Sequence, residues 1–133
     1  MSPSLKIDPS AAVSISEQIA EQVRLSIASG RLVPGDRLES VRGLARELLV
    51  NPNTVAKVYR DLEREGILDT RPGSGVFVAP GAPAKCRRAG ARAVREAVEA
   101  AVEKGLAAGL APEEIEELWR ESLEKAGGMI HAE

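Results

Sequence analysis

Aromatic side chains are nearly absent from this sequence. Tyr59, Phe77 and Trp119 are the three among 133 residues, so its core has to be built from Leu, Ile, Val and Ala. Cys86 is the single cysteine, which excludes an intrachain disulfide and suits a reducing cytoplasm. His131 is the single histidine and falls in an expected tail, so no metal-ligand cluster can be composed. No glycine-rich phosphate loop precedes a helix, and no ordered carboxylate pair stands apart from surface acids. Neither an enzyme nor a bound cofactor or metal is expected. No apolar run approaches a membrane span, and the first residues carry no signal pattern, so the expected compartment is the cytoplasm. The formal net charge is only −2, and any nucleic-acid binding must therefore come from a local patch.

Such a patch is present between Asn51 and Gly66, NPNTVAKVYRDLEREG. Asn51 is a good N-cap, Pro52 fits the first helical position, and Gly66 is a natural stop. With about 100° between successive residues, Val55, Val58, Tyr59 and Leu62 gather on one side. Asn53, Lys57, Arg60 and Arg64 gather on the other, a set free of acids that suits a phosphate backbone. An ordinary solvated face has the same appearance.

The segments before it read as two more helices. Ser14 and Glu17 have capping-box spacing, and Ile15, Ile19, Val23 and Ile27 recur every fourth residue, giving a first helix from Ile15 to Ser29 after a short arm, Met1 to Ala12. Pro34-Gly35-Asp36 is a turn signal. Ser40 caps a second, short helix with Val41, Leu44, Ala45 and Leu48 as its stripe. After Gly66, Ile67–Arg71 and Val76–Val78 flank Pro72-Gly73-Ser74-Gly75 and predict a β-hairpin. Three helices and a hairpin make a winged helix-turn-helix over residues 1–79. Residues 80–85 read as a linker by composition. Residues 86–126 read as a helical tail: Val94, Val98, Val102 and Leu106 form a stripe on a long fourth helix, with Gly105 and Gly109 weakening its end. Pro112 opens a fifth helix with Ile115, Leu118, Trp119 and Leu123 on its apolar face. Residues 127–133 are expected to be disordered.

Gly30-Arg31-Leu32 with Pro34-Gly35-Asp36, then Leu38, Ser40, Arg42, Leu44-Ala45, Asn51-Pro52-Asn53-Thr54-Val55, Glu65-Gly66, Arg71, Gly73, Gly75 and Phe77-Val78 resemble the DNA-binding domain of GntR-type bacterial transcription regulators. The short two-helix tail resembles the YtrA-like subfamily, in which it serves for dimerisation. The resemblance implies DNA contacts from Arg42 at the start of the second helix, from Asn53, Thr54 and Lys57 on the third, and from Gly73 at the wing tip. Two positions depart from the pattern. Glu39 stands where the family has proline and places an acid near the expected phosphates. Leu49 stands where the turn has glycine, and a left-handed backbone there would cost a leucine roughly 1 kcal/mol.

The chemistry of these residues agrees with the resemblance. Asn can contact adenine bidentately, and Lys can reach guanine or a phosphate. Arg60 and Arg71 are further candidates for the DNA backbone; an intramolecular salt bridge to Glu39 or Glu47 is the alternative for Arg42, and pairing with Asp61 or Glu63 is the alternative for Arg64. The basic run of Lys85, Arg87, Arg88, Arg92 and Arg95 reads as a solvated face or a partner to acids of another subunit. Cys86 reads as a plain linker residue. The expected function is a sequence-specific, DNA-binding transcription regulator, a repressor acting as a homodimer on double-stranded DNA, with Val94, Val98, Val102, Leu106, Ile115, Leu118, Trp119 and Leu123 at the dimer contact. The alternative is a winged-helix protein–protein module. No effector or target gene is named by these residues.

Overall fold

Three short polar side chains start the first three helices. Ser14 precedes α1 (Ile15–Ala28), its Oγ accepting from the Glu17 N–H at 3.2 Å. Ser40 precedes α2 (Val41–Leu48), its Oγ accepting from the Gly43 N–H at 3.0 Å. Asn51 precedes α3 (Pro52–Arg64), its Oδ1 accepting from the Asn53 N–H at 2.8 Å. Each cap satisfies an amide the helix cannot, an effect of about 1 kcal/mol. The structure, a computed structural model, describes residues 5–131 and divides into two compact units between residues 91 and 92.

In the first unit α3 packs against both α1 and α2. Its stripe of Val55, Val58, Tyr59 and Leu62 joins Ile19, Val23 and Ile27 of α1 and Leu44 and Ala45 of α2 in one buried cluster. Tyr59 keeps its polar end satisfied by donating to the Glu39 carbonyl at 2.8 Å. Burial, with the nearby Glu39 and Glu47 carboxylates, pushes its phenol well above the usual range, so it remains a neutral donor. The arm before α1 is clamped by two glutamines. Gln22 exchanges both hydrogen bonds with the backbone of Lys6, and Gln18 bonds Asp8 N–H at 2.8 Å and the Asp8 and Val13 carbonyls at 2.9 Å.

The α2–α3 turn adopts the left-handed conformation at Leu49, with φ 58° and ψ 46°. The Val50 N–H reaches back to the Ala45 carbonyl at 3.0 Å, a Schellman-type closure that usually employs glycine. Leu49 is 91% exposed, so it recovers almost no burial in exchange for its strain. Leu49→Gly is therefore expected to raise stability by about 0.5–1 kcal/mol, the ~1–2 kcal/mol left-handed penalty less the ~0.5–1 kcal/mol backbone entropy of glycine. A denaturant titration checks it; a lowered midpoint would mean that the side chain makes a contact worth more than the strain.

After α3 come β1 (Leu68–Arg71) and β2 (Gly75–Val78), antiparallel, with Leu68 opposite Val78, Thr70 opposite Val76 and Arg71 opposite Gly75. Between α1 and α2, residues 35–38 add a third extended segment on the free edge of β2. Leu38 N–H donates to Val76 O at 2.8 Å, and Val78 N–H to Asp36 O at 2.9 Å. What the sequence presents as a turn is thus also a sheet edge that ties the hairpin to the helical body.

The expected linker at 80–85 is a turn at Pro80–Gly81 and then the start of α4 (Ala82–Ala107). Proline is tolerated in a first helical turn because no amide hydrogen is needed there, so Pro83 does not oppose this helix. Ala82 and Cys86 are 0% and 2% exposed and belong to the first unit's core. Cys86 is accordingly a packing residue rather than a linker residue. Burial pushes its thiol up, with Arg24 opposing that shift and Glu65 adding to it. The first unit therefore extends past residue 79.

The second unit holds the remainder of α4 and α5 (Pro112–His131). Gly109, at φ 89°, ends α4, and the Ala111 N–H is capped by Glu114 Oε1 at 3.0 Å. Gly105 does more than weaken the helix end. A Cβ there would stand 3.0 Å from Ile115 Cδ1, so its small size admits Ile115 between the two helices. α5 continues through residues 127–131, where disorder was expected; residues 132 and 133 lie outside the described residues. Among the described residues no helix is long and apolar enough to cross a membrane.

Candidate nucleic-acid interface

The exposed side of α3 carries Asn53, Lys57, Arg60 and Arg64, and Thr54 is half-buried at its flank. The cap leaves the Asn53 side chain uncommitted, because only its backbone N–H is used by Asn51. The α3 face is not free of acids. Asp61, one step round the helix, accepts from Lys57 Nζ at 3.2 Å and from Arg64 Nη1 at 3.4 Å. Both are exposed pairs worth a few tenths of a kcal/mol each, weak enough to exchange for phosphate. Arg60 has no ion-pair partner among the described residues.

Arg42 projects from the first turn of α2. Among the described residues it forms no salt bridge, to Glu39, Glu47 or any other acid. It lines one shallow depression with Arg46, Leu49 and Pro52, the first residue of α3, so the helix-turn-helix brings Arg42 beside the start of the third helix. The Glu39 carboxylate turns back on α2: it accepts from the Ser40 N–H at 3.1 Å and lies against Gly43, where any Cβ would collide with it. The acid that replaces proline thus sits at the positive end of α2.

The wing tip has the pattern of a type II turn, with Pro72 second, Gly73 third at φ 79°, and the Ser74 N–H closing on Arg71 O at 2.9 Å. Nothing lies within 4 Å of where a Gly73 Cβ would be, so the tip is open to a close approach. Arg71 lies over the Phe77 ring, 4.3 Å from its centroid, and its Nε is 3.8 Å from Asp69 Oδ2. Glu63 of α3 accepts from the Thr70 N–H at 3.2 Å and so couples the wing to the third helix.

Sequence reasoning missed Arg37. The antiparallel bridge between Arg37 and Phe77 places it on the sheet face of Phe77, and its guanidinium lies across Gly75. No local periodicity marks a residue whose strand partner lies 40 positions away. Lys85, first of the basic run, places its ammonium against Gly66 at the C-terminal end of α3, where the helix dipole favours a cation.

In the second unit Val94, Leu106, Leu118, Trp119 and Leu123 are 62%, 50%, 50%, 39% and 70% exposed, and Val98, Val102 and Ile115 are half-buried. No described side chain of this unit is fully buried.

The sequence model described as "Bacterial regulatory proteins, gntR family" matches residues 15–78, from the start of α1 to the end of β2. The chain is similar to the HTH-type transcriptional repressor YtrA of Bacillus subtilis, 45% identical over 78 residues, 59% of this chain and 60% of that protein. The chain thus spans about 60% of the length of that relative. It is similar in structure to a transcriptional regulator from Oenococcus oeni, at a TM-score of 0.72 and 25% identity over 87% of this chain and 99% of the other. It is also similar to AraR(DBD) in complex with operator ORX1, at a TM-score of 0.51 and 26% identity over 56% of this chain and 93% of the other.

Proposed function

From the helix-turn-helix domain of the gntR family of bacterial regulatory proteins, residues 15–78, we propose that the chain is a sequence-specific DNA-binding repressor working as a homodimer. The observation that carries this reading is the exposed start of α3. Asn53 stands there with an uncommitted side chain, Arg42 lines a depression with Pro52 at the same helix start and has no ion-pair partner among the described residues, and the hairpin offers an open glycine tip. The kinship to an operator-bound AraR(DBD) and to a YtrA repressor supports it.

In this reading α3 enters the major groove. Asn53 pairs with adenine, Lys57 contacts guanine or a phosphate, and Thr54 gives its hydroxyl to a phosphate. Arg42, Arg60 and Arg71 hold the backbone, and Gly73 lets the wing approach the sugar–phosphate closely. The apolar faces of α4 and α5, from Val94 to Leu123, lack a buried core of their own, and a second copy covers them. A two-fold pair presents two recognition helices to a pseudo-palindromic operator, with half-site centres about 10 base pairs apart or a multiple of that. The bound dimer excludes polymerase sterically.

Selection of bound sequences from a random DNA pool tests the reading and returns the operator. The expected result is an enriched inverted repeat bound with a steep salt dependence. Folded protein that enriches no sequence would favour a protein-docking module instead.

Asp61 supplies a finer test of the α3 face. Lys57→Ala is expected to weaken operator binding and to lower the salt slope by about one if its contact is a phosphate. Asp61→Asn, which frees both Lys57 and Arg64, is expected to strengthen binding a few-fold at low salt. Titrations of both variants over a salt series check this. Wild-type behaviour in both would place this flank of α3 away from DNA.

A further inference from the structure

Two arginines, Arg37 and Arg71, lie on one face of the sheet near the wing tip. The register puts Asp69, Phe77 and Arg37 in one row across the three extended segments, with Arg71 and Gly75 in the next row toward the tip, on the same face. Arg37 does not stay in its own row. Its side chain runs forward and lays its guanidinium over Gly75, so that a Cβ at residue 75 would stand 2.8 Å from Nε. The position opposite Arg71 therefore holds no side chain of its own and is filled by Arg37.

Neighbouring like charges on one sheet face are unfavourable. Among the described residues the one carboxylate ion-paired with either arginine is Asp69, 3.8 Å from Arg71. Arg37 has no ion-pair partner among the described residues. Both groups are nevertheless held in place. Arg71 is stacked on Phe77, and the Arg37 backbone is pinned to β2 on both sides, by Leu38 N–H to Val76 O at 2.8 Å and Val78 N–H to Asp36 O at 2.9 Å. Two planar forks on one sheet face, beside an open glycine tip, suit a phosphodiester, which guanidinium groups bind through paired hydrogen bonds.

We propose that Arg37 and Arg71 together grip a DNA phosphate beside the wing tip, making Arg37 a contact residue that lies outside the helix-turn-helix. The inference rests on the DNA-binding reading above. The grip adds affinity and orients the wing, and it carries no base specificity of its own.

The test uses full-length protein and the operator returned by selection. Arg37→Ala is expected to bind about tenfold more weakly at moderate salt, with the salt slope lowered by about one and the melting temperature unchanged. Ethylation interference is expected to lose one backbone phosphate outside the bases read by α3. Arg37→Lys should restore the slope but only part of the affinity, since an ammonium lacks the fork. If Arg37→Ala shifts the melt, Arg37→Gln, similar in length and uncharged, decides by the same slope. A folded Arg37→Ala or Arg37→Gln protein with wild-type affinity, slope and interference pattern would overturn the grip while leaving the function intact. Wild-type protein that selects no DNA would overturn the function itself.

Discussion

A protein carrying both Arg42→Ala and Asn53→Ala is expected to melt like wild type and to bind its operator about 10²–10⁴-fold more weakly. The adenine contact of an asparagine is worth roughly 1–3 kcal/mol, and a charged hydrogen bond to phosphate about 1.5–3 kcal/mol. Neither substitution touches the fold. Arg42 is exposed and has no ion-pair partner among the described residues, and Asn53 serves the α3 cap through its backbone alone. Exposed changes of this kind alter stability by less than about 0.5 kcal/mol. The two effects are separable. Asn53→Ala should relax preference at one base pair and leave the salt slope intact, whereas Arg42→Ala should lower affinity on every sequence alike. Competition titrations against selected and scrambled duplexes make the measurement, with a thermal melt as control. Binding within twofold of wild type by the double variant would remove the recognition face from α2 and α3.

Truncation is expected to have the second large effect, and the position of the cut decides which effect it is. A chain ending after Ala91 keeps Ala82 and Cys86 in place and should fold, sediment as a monomer, and bind the operator at least about 100-fold more weakly, since it engages one half-site at a time. A chain ending at Pro80 should instead lose about 2–4 kcal/mol of stability, because two fully buried side chains leave the core together. In the intact protein Trp119, the single tryptophan, should emit to the blue and move red on dilution as the pair separates. A monomeric full-length protein with a solvent-like Trp119 spectrum would leave the open faces of α4 and α5 without a partner.

Much of the first unit is written locally. Ser14, Ser40 and Asn51 announce three helix starts, the apolar stripes give the buried faces, and the glycines around Ser74 give the hairpin. Leu49 was legible too, as a side chain forced into a backbone shape that glycine prefers. The misses share a cause, which is that their determinants are distant or context-dependent. Composition reads residues 80–85 as a linker, whereas the core to which Ala82 and Cys86 belong is assembled from α1, α2, α3 and the hairpin. Arg37 acquires its position only when residues 35–38 pair with β2, and nothing near residue 37 encodes that pairing. The pairing of Arg64 with Asp61 was legible from their spacing, but the hold of Asp61 on Lys57 depends on side-chain reach. The end of α5 persists through glycines that intrinsic helix propensity disfavours.

Asp61 also bears on how fast a target is found. A protein searching a chromosome spends most of its time on sequences it does not want, held there by the same cations that help it on the right one. In the proposed complex, a carboxylate already seated between Lys57 and Arg64 would make each of those cations exchange one anion for another on arrival, trimming their gain on random DNA a few-fold. Dwell time on each wrong stretch would shorten, and hopping between segments would become more frequent. At an operator, the base contact proposed for Asn53 would be unaffected by that exchange and would prolong the stay. On the proposed reading, the acid on α3 would act as a release catch, trading residence on bulk DNA for a quicker scan.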